Sequence, residues 1–222
     1  MQPNQFIGII KFFKNEDFLD ELVNGVFYCT PPEVYRLHEQ EGVSDKFESC
    51  SFSYRKSRED DEIILHINDR KITGHISLTV HNQQDKDSWM HCWFSLRLPQ
   101  NEKSLEKLKL DIAKMKSEFG EQFAFIPAPS MSGFLDLIEG LSPLPMVCDE
   151  VEYSSDKSRW GSLCKSKGYS YQREFRFLFG ECNTHETEHF IFSDPNKFSG
   201  IILKNPEIKI NNKDNSITLL EI

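Results

Sequence analysis

Apolar residues in this chain fall mainly into short runs of β-branched and aromatic side chains, punctuated by Pro, Gly, Asn and Asp. The run from Phe6 to Lys14, with Ile7, Ile9, Ile10, Phe12 and Phe13, predicts a strand. Asn15 then offers an N-cap, with Glu16 and Asp17 in the first turn, where the helix dipole favours acids. Phe18, Leu19, Leu22 and Val23 form one stripe of a short helix that Asn24-Gly25 closes. Val26 to Thr30 resumes as a strand stopped by Pro31-Pro32, and Glu33 to Leu37 forms the next turn. Residues 38–62 are polar and acidic and read as an excursion or lid. Ile63–Ile67 and His75–Val80 read as a hairpin joined around Asn68-Asp69-Arg70, and Ser88–Leu96 as a buried strand. Leu105, Leu108, Ile112, Met115 and Phe119 recur at helical spacing, which predicts an amphipathic helix over 102–118. A strand over 122–126 and a short helix over 131–140 come next, then a strand over 147–153 and a polar connection over 154–167. Strands at 190–192, 200–203 and 217–220 complete a strand-rich α+β pattern in one domain, 1–222.

The most regular alternation lies in Tyr171-Gln172-Arg173-Glu174-Phe175-Arg176-Phe177-Leu178-Phe179. Successive side chains of a strand point to opposite faces, so Tyr171, Phe175, Phe177 and Phe179 are expected in a core. Gln172, Glu174 and Arg176 are then expected together on the other, solvent-side face, within reach of one small ligand. A solvated ion-pair ladder would produce the same alternation.

Composition narrows the classes. No run of about 18 apolar residues exists to span a membrane. The opening Met1-Gln2-Pro3-Asn4-Gln5-Phe6 lacks the basic and apolar parts of a signal peptide, so a cytoplasmic protein is expected. Six scattered cysteines without C-x-x-C spacing read as reduced thiols, and no metal site is expected. A net charge of −9 opposes general attraction to nucleic acid or anionic lipid, while the lysines at 103, 107, 109, 114 and 116 read as a solvated helix face. Nucleotide-binding glycine loops, H-E-x-x-H and G-x-S-x-G are missing from the sequence. His91, within an aromatic run, reads as a satisfied core histidine, and His185 and His189 as a surface pair.

What remains is a layout: a strand with Lys11 and Lys14, a helix, a strand ending in Tyr28-Cys29-Thr30, Tyr35, and far downstream Gln172-Arg173-Glu174. This resembles the ADP-ribosyltransferase fold, whose split β-sheets with short flanking helices hold NAD in a cleft. The Gln-Arg-Glu triplet fits that family's Q-x-E form, and Gly25–Thr30 followed by Tyr35 fits its second-strand element. The chain is also similar to the mRNA-modifying ADP-ribosyltransferase toxins of phage-defence toxin–antitoxin–chaperone systems. That similarity covers the I-I-K-F-F-K opening, G-V-F-Y, D-K-F-E at 45–48, F-G-E-Q-F-A-F-I at 119–126 and Y-Q-R-E-F-R at 171–176. The resemblance implies NAD as substrate, Glu174 and Gln172 as catalytic residues, an RNA acceptor, and an antitoxin protein and a chaperone as partners. It implies NAD contacts from Tyr28, Thr30, Tyr35 and Arg176, with Ser95 the other candidate for the middle-strand serine. Neither His nor Arg occupies the opening strand, so Lys11 or Lys14 has to supply its cation.

Two other classes compete. A metal-dependent nuclease would use Asp45, Glu48 and Glu174, and a non-catalytic module would dock a partner through 38–62.

Overall fold

A computed structural model describes residues 4–40, 42–195, 197–211 and 217–222. Met1, Gln2 and Pro3, part of the opening read for a signal peptide, lie outside the described residues, as does one position of the 38–62 segment. In chain order the first half carries β1 (Phe6–Phe13), α1 (Glu16–Val23), β2 (Val26–Cys29), α2 (Pro32–Leu37), β3 (Phe52–Arg55), β4 (Leu65–Ile67), β5 (Arg70–Ile72), β6 (Ser77–Val80) and β7 (Trp89–Arg97). The second half carries α3 (Glu102–Phe119), β8 (Gln122–Pro127), α4 (Met131–Leu141), β9 (Met146–Glu150), β10 (Glu152–Ser154), β11 (Cys164–Ser166) and β12 (Glu174–Phe179). Strands β13 (Phe190–Ser193), β14 (Leu203–Lys204), β15 (Lys209–Asn211) and β16 (Thr218–Glu221) follow.

The framework is a six-stranded sheet in the order β14-β8-β1-β7-β12-β9, every neighbouring pair antiparallel. Helices cover both faces, as strands buried on two sides require. On one face Ile9, Trp93, Phe177 and Phe179 meet Leu19 and Leu22 of α1 and Phe134 and Ile138 of α4. On the other, Ile10, Phe12, Phe94 and Phe123 meet Leu108, Ile112 and Met115 of α3. The helix starts follow local chemistry: Asn15 accepts from the Asp17 amide, and Asn101 with Ser104 closes a capping box on α3.

The sheet splits at β7. Strand β1 pairs with it from Phe6↔Arg97 to Ile10↔Phe94, while the end of β2 reaches it only through the Thr30↔Met90 bridge. Strand β2 otherwise pairs with β13. Between those two attachments lies a gap, where Lys11 Nζ donates to the Cys92 carbonyl at 2.8 Å.

Several expectations are corrected. The hairpin is tighter than expected: β4 pairs with β5, and residues 77–80 pair instead with β3. Residues 38–62 are no solvated lid, since Asp45, Glu48 and Arg55 are buried and β3 lies within the segment. The polar connection 154–167 holds β11 and a buried Trp160. Residues 167–172 form a 3-10 turn, so the late strand begins at Glu174 rather than Tyr171. Its far face is filled, not solvated: Glu174 is 7% and Arg176 1% exposed.

Phe134 is fully buried and its ring meets Phe27, Trp93, Phe177 and Phe198. Phe134→Ala should cost about 3–5 kcal/mol in urea unfolding. A loss below about 1 kcal/mol would mean that α4 does not seal this core.

Candidate functional site

The far face of β12 is occupied by a cluster of buried charges. Arg176 Nε donates to Glu174 Oε2 at 2.7 Å, and its Nη1 reaches Glu48 Oε1 at 2.8 Å and the Ser162 carbonyl at 2.7 Å. Lys165 Nζ lies 2.9 Å from Glu174 Oε1, 3.0 Å from Glu48 Oε2 and 3.6 Å from Asp45 Oδ2. The same ammonium donates to Gln172 Oε1 at 3.0 Å, and Gln172 Nε2 donates to the Gly42 carbonyl at 2.9 Å. Gln172 is therefore not in line with Glu174 on a strand. It sits on the preceding turn, and Lys165 brings the two side chains together.

Local structure makes this possible. Ser166 caps the 3-10 turn by accepting from the Gly168 amide, and Arg173 adopts a left-handed φ of 41°, unusual for a long side chain. That residue swings the chain from turn to strand, while its guanidinium bonds Asp111 of α3 at 2.8 Å. Gly42 also has a left-handed φ, 84°, and a Cβ there would fall 2.3 Å from the Glu118 carboxyl carbon. The loop can thus approach Gln172 only with glycine at this position or with Glu118 displaced.

Charges taken out of water must be paired, and here three carboxylates face two cations. Burial alone would raise the Glu174 carboxyl, but the Arg176 and Lys165 charges outweigh it and hold it well below the usual carboxylate range. Glu48 is likewise depressed: burial is overcome by Arg176 and then Lys165. Asp45 moves the other way, raised by burial and by the Glu48 charge more than Lys165 lowers it.

Glu174, Gln172, Lys165, Arg176 and Glu48 line a cavity of about 280 Å³ together with Lys11, Tyr35, Cys92, Phe119 and Trp93. Lys11 also lines a second cavity of about 430 Å³, walled by Phe13, Phe18, Leu22, Val26, Tyr28, Thr30, His91, His189 and Ile191. The expected NAD contacts are therefore divided between two cavities. Tyr35 and Arg176 go with Glu174, Tyr28 and Thr30 with the second cavity, and Lys11 with both. Comparison with protein-family models, curated proteins and solved structures finds no match.

Two expected contacts fall elsewhere. Lys14 is exposed and lines neither cavity, because it follows the last residue of β1 and points to solvent. Ser95 spends its hydroxyl on Glu150 at 2.6 Å and borders a separate recess of about 160 Å³ with Arg97 and Arg173. The most important residue missed from sequence is Lys165, which sits in a stretch read as a polar connection. Its only sequence signal is indirect, since buried acids at 45 and 48 require a buried cation. The nuclease reading loses its basis because the Lys165 ammonium occupies the point on which Asp45, Glu48 and Glu174 converge. Among the described residues no His/Cys/Asp/Glu group is arranged to hold a metal ion.

Removing one cation leaves two buried carboxylates in excess, so Lys165→Met should destabilise by about 3–5 kcal/mol. Glu174→Gln equalises the remaining charges but keeps an acceptor for only one of the two cations and turns an amide NH2 toward the other, so it should cost less, about 1–3 kcal/mol. Equal losses in urea unfolding would contradict this charge balance.

The depressed acids also set a pH dependence. The stability contributed by ionised Glu174 and Glu48 is complete above the ordinary glutamate value of 4.5 and is lost as pH falls through their lower folded values. Asp45 contributes with the opposite sign, losing its share as pH rises through its raised value. Unfolding midpoints should therefore fall between about pH 5 and pH 3, and less steeply in Glu174→Gln. An unchanged acid slope in that variant would show that Glu174 is not held ionised.

Proposed function

We propose that this chain is an ADP-ribosyltransferase that consumes NAD and transfers ADP-ribose to RNA. It would act as a cytoplasmic phage-defence toxin partnered by an antitoxin protein and a chaperone. The observation that carries the reading is Glu174, held ionised on the wall of a cavity beside Tyr35 and Lys11, where β1 and β2 part on β7. A sheet split of this kind, with a cation on the first strand and a glutamate on a late one, accords with the ADP-ribosyltransferase-like architecture expected from sequence.

The chemistry suits the residues. When the nicotinamide–ribose bond breaks, its electron pair leaves with the ring nitrogen and the sugar carbon gains oxocarbenium character. A fixed carboxylate beside that carbon lowers the barrier without reorganising. Glu174 accepts one bond per oxygen from Lys165 and Arg176, and a carboxylate has about four acceptor positions, so ribose hydroxyls can still be held. The half-buried Tyr35 offers an aromatic face to the leaving ring. Lys11, with one N–H on the Cys92 carbonyl, keeps two for a phosphate or ribose oxygen.

Gln172 cannot act as a base. Its amide is neutral, with Nε2 facing the Gly42 carbonyl and the Tyr171 hydroxyl, which favours a nucleobase over an arginine side chain as acceptor. Most of the lysines on α3 are already committed: Lys107 to Asp111, Lys109 to Glu106, Lys114 to Glu118 and Lys116 to Glu121. RNA binding is accordingly weak and declines as salt rises.

Incubation with labelled NAD and a cell lysate should place label on RNA, removable by ribonuclease, and Glu174→Gln should reduce it at least 100-fold, the scale of losing a transition-state contact. Label on protein that survives ribonuclease would overturn the RNA acceptor. Undiminished transfer by Glu174→Gln would overturn the catalytic assignment.

A further inference from the structure

Lys11 stands apart from the other lysines. Every other lysine among the described residues is exposed or ion-paired, and the buried Lys165 faces three carboxylates. Lys11 is half-buried and lines both the Glu174 cavity and the second, apolar one. Among the described residues no carboxylate forms an ion pair with it, and its hydrogen-bond partner is the Cys92 carbonyl at 2.8 Å. Burial pulls this amine below the ordinary lysine value of 10.5, and the nearby Cys92, Cys29 and Glu174 offset that only in part. An amine desolvated in this way sheds its proton more readily and becomes a nucleophile. One N–H stays on the Cys92 carbonyl, and the lone pair is uncommitted.

The second cavity, of about 430 Å³, supplies a ligand site for that amine. Phe13, Leu22 and Val26 make its walls apolar, and Phe18, Tyr28 and Ile191 are each at least 44% exposed. His91 also lines it and is only 3% exposed. The Trp93 indole, which can only donate, bonds His91 Nδ1 at 2.8 Å, so Nε2 carries the proton. Burial and the neighbouring Lys11 charge keep this ring neutral. No side chain or carbonyl among the described residues accepts from Nε2–H, so the core histidine expected from sequence is satisfied at one nitrogen only. The cavity therefore combines a nucleophilic amine, a neutral N–H donor and apolar walls. A carbonyl compound uses all three: its carbon takes the amine, its oxygen accepts from the N–H, and its body packs on the walls. A carboxylate or phosphate would leave its charge against apolar walls with one cation to meet it. Thiols do not compete, since burial and the Glu174 charge push Cys92 up to about 12 and burial holds Cys29 higher still. The rings of Phe13, Phe18 and Tyr28 favour a flat aromatic body.

We propose that the cavity between α1, β2 and β13 takes an uncharged aromatic aldehyde, which Lys11 holds covalently as a reversible imine. The neutral Lys11 nitrogen adds to the carbonyl carbon, and the carbonyl electron pair moves to the oxygen, where His91 Nε2–H donates. One nitrogen proton passes to that oxygen, giving a carbinolamine. The nitrogen lone pair then forms the C=N bond, the C–O bond breaks, and the hydroxyl leaves as water with the second nitrogen proton. Amine and aldehyde thus become imine and water, with nothing oxidised or reduced. The imine is neutral, so its formation also removes a charge that burial penalises. The site holds whether or not Glu174 performs transfer. If Glu174 does, the imine takes away the Lys11 cation and the aldehyde acts as an inhibitor.

The test is reductive labelling of the full chain at neutral pH with benzaldehyde or glyoxylate and cyanoborohydride, read by peptide mass spectrometry. With benzaldehyde, Lys11 should be labelled about tenfold or more faster than the exposed Lys14. Its rate should saturate as benzaldehyde rises, whereas labelling of Lys14 should rise in proportion. Glyoxylate, an aldehyde that carries a carboxylate, should show no preference for Lys11. Tyr28→Ala, at an exposed position, should slow benzaldehyde labelling of Lys11 several-fold with the melting temperature unchanged. Equal labelling of Lys11 and Lys14, a Lys11 rate that does not saturate, or an unchanged rate in Tyr28→Ala overturns the proposal. Faster labelling of Lys11 by glyoxylate than by benzaldehyde overturns it as well. NAD is left out of every arm, so none of these outcomes depends on the transferase.

Discussion

Lys165 and Arg176 lie between Asp45, Glu48 and Glu174, and the walls of the Glu174 cavity are held in place by that balance. Removing five charges from water costs several kcal/mol each unless every one finds a partner. The partners come from separate parts of the chain: the loop after α2, strand β11 and strand β12. Strand β12 is anchored by its aromatic face, but the loop and β11 have no large apolar face of their own, so the ion pairs dictate where those two stop against it. With Asp45 raised by burial and by Glu48, the cluster approaches neutrality when that one residue carries a proton. The excess acid is therefore tolerated in the interior by raising the carboxyl of one group rather than by opening the structure.

Glu48 joins this cluster to a second. Its side chain meets Lys165 and Arg176, while its backbone carbonyl accepts from Arg36 Nε at 2.9 Å. Arg36 pairs in turn with Asp87 at 2.7 Å, and Arg55 with Glu33 at 2.6 Å, two cations against two anions with all four buried. The loop carrying Asp45 and Glu48 is thus clamped from both sides. A segment rich in acids and poor in apolar residues becomes a fixed wall of the cavity because each of its buried charges is used. One wall of the Glu174 cavity, where the sheet parts at β7, is thus made of charge pairs whose geometry is specific, while apolar side chains such as Ile10, Phe12, Trp93 and Phe119 line the rest.

Strands and helices with strong periodicity were legible from sequence, since β1, β7, α3 and the aromatic face of β12 each repeat the pattern that burial demands. Tyr171, Phe175, Phe177 and Phe179 alternate as though on one continuous strand, which would put Gln172 on it, whereas Gln172 ends the preceding turn. What breaks the strand is the Ser166 cap and the left-handed Arg173, and neither leaves a periodic trace. The hairpin turn was located correctly at Asn68-Asp69, both with positive φ, as two-residue hairpins prefer. Residues 75–80 are more β-prone than Arg70–Ile72 and so read as its second strand, yet Ser77–Val80 pair with β3 instead. Polarity misled most in 38–62 and 154–167. Acids and lysines there suggested solvent, and only the three-dimensional meeting of Lys165 with Asp45, Glu48 and Glu174 makes them interior.

A carboxylate clamped by two cations might be thought too well neutralised to act on a developing positive charge. The geometry argues otherwise. The cations are not reserved for Glu174: Arg176 also serves Glu48, and Lys165 also serves Glu48 and lies within reach of Asp45, so each carboxylate receives only a share of the positive charge. What the clamp supplies is fixation. Both oxygens of Glu174 are held by bonds of 2.7–2.9 Å, leaving unused lone pairs directed by protein rather than by water. An electrostatic contact that does not have to move when charge appears avoids the reorganisation cost that a solvated carboxylate bears in full. The depressed carboxyl also ensures that this contact is charged whenever the protein is at neutral pH. For the transfer proposed above, fixation and lasting ionisation are what a cleaving glycosidic bond would require of its neighbour, and a glutamate on an open strand face, the arrangement expected from the alternation alone, would offer neither.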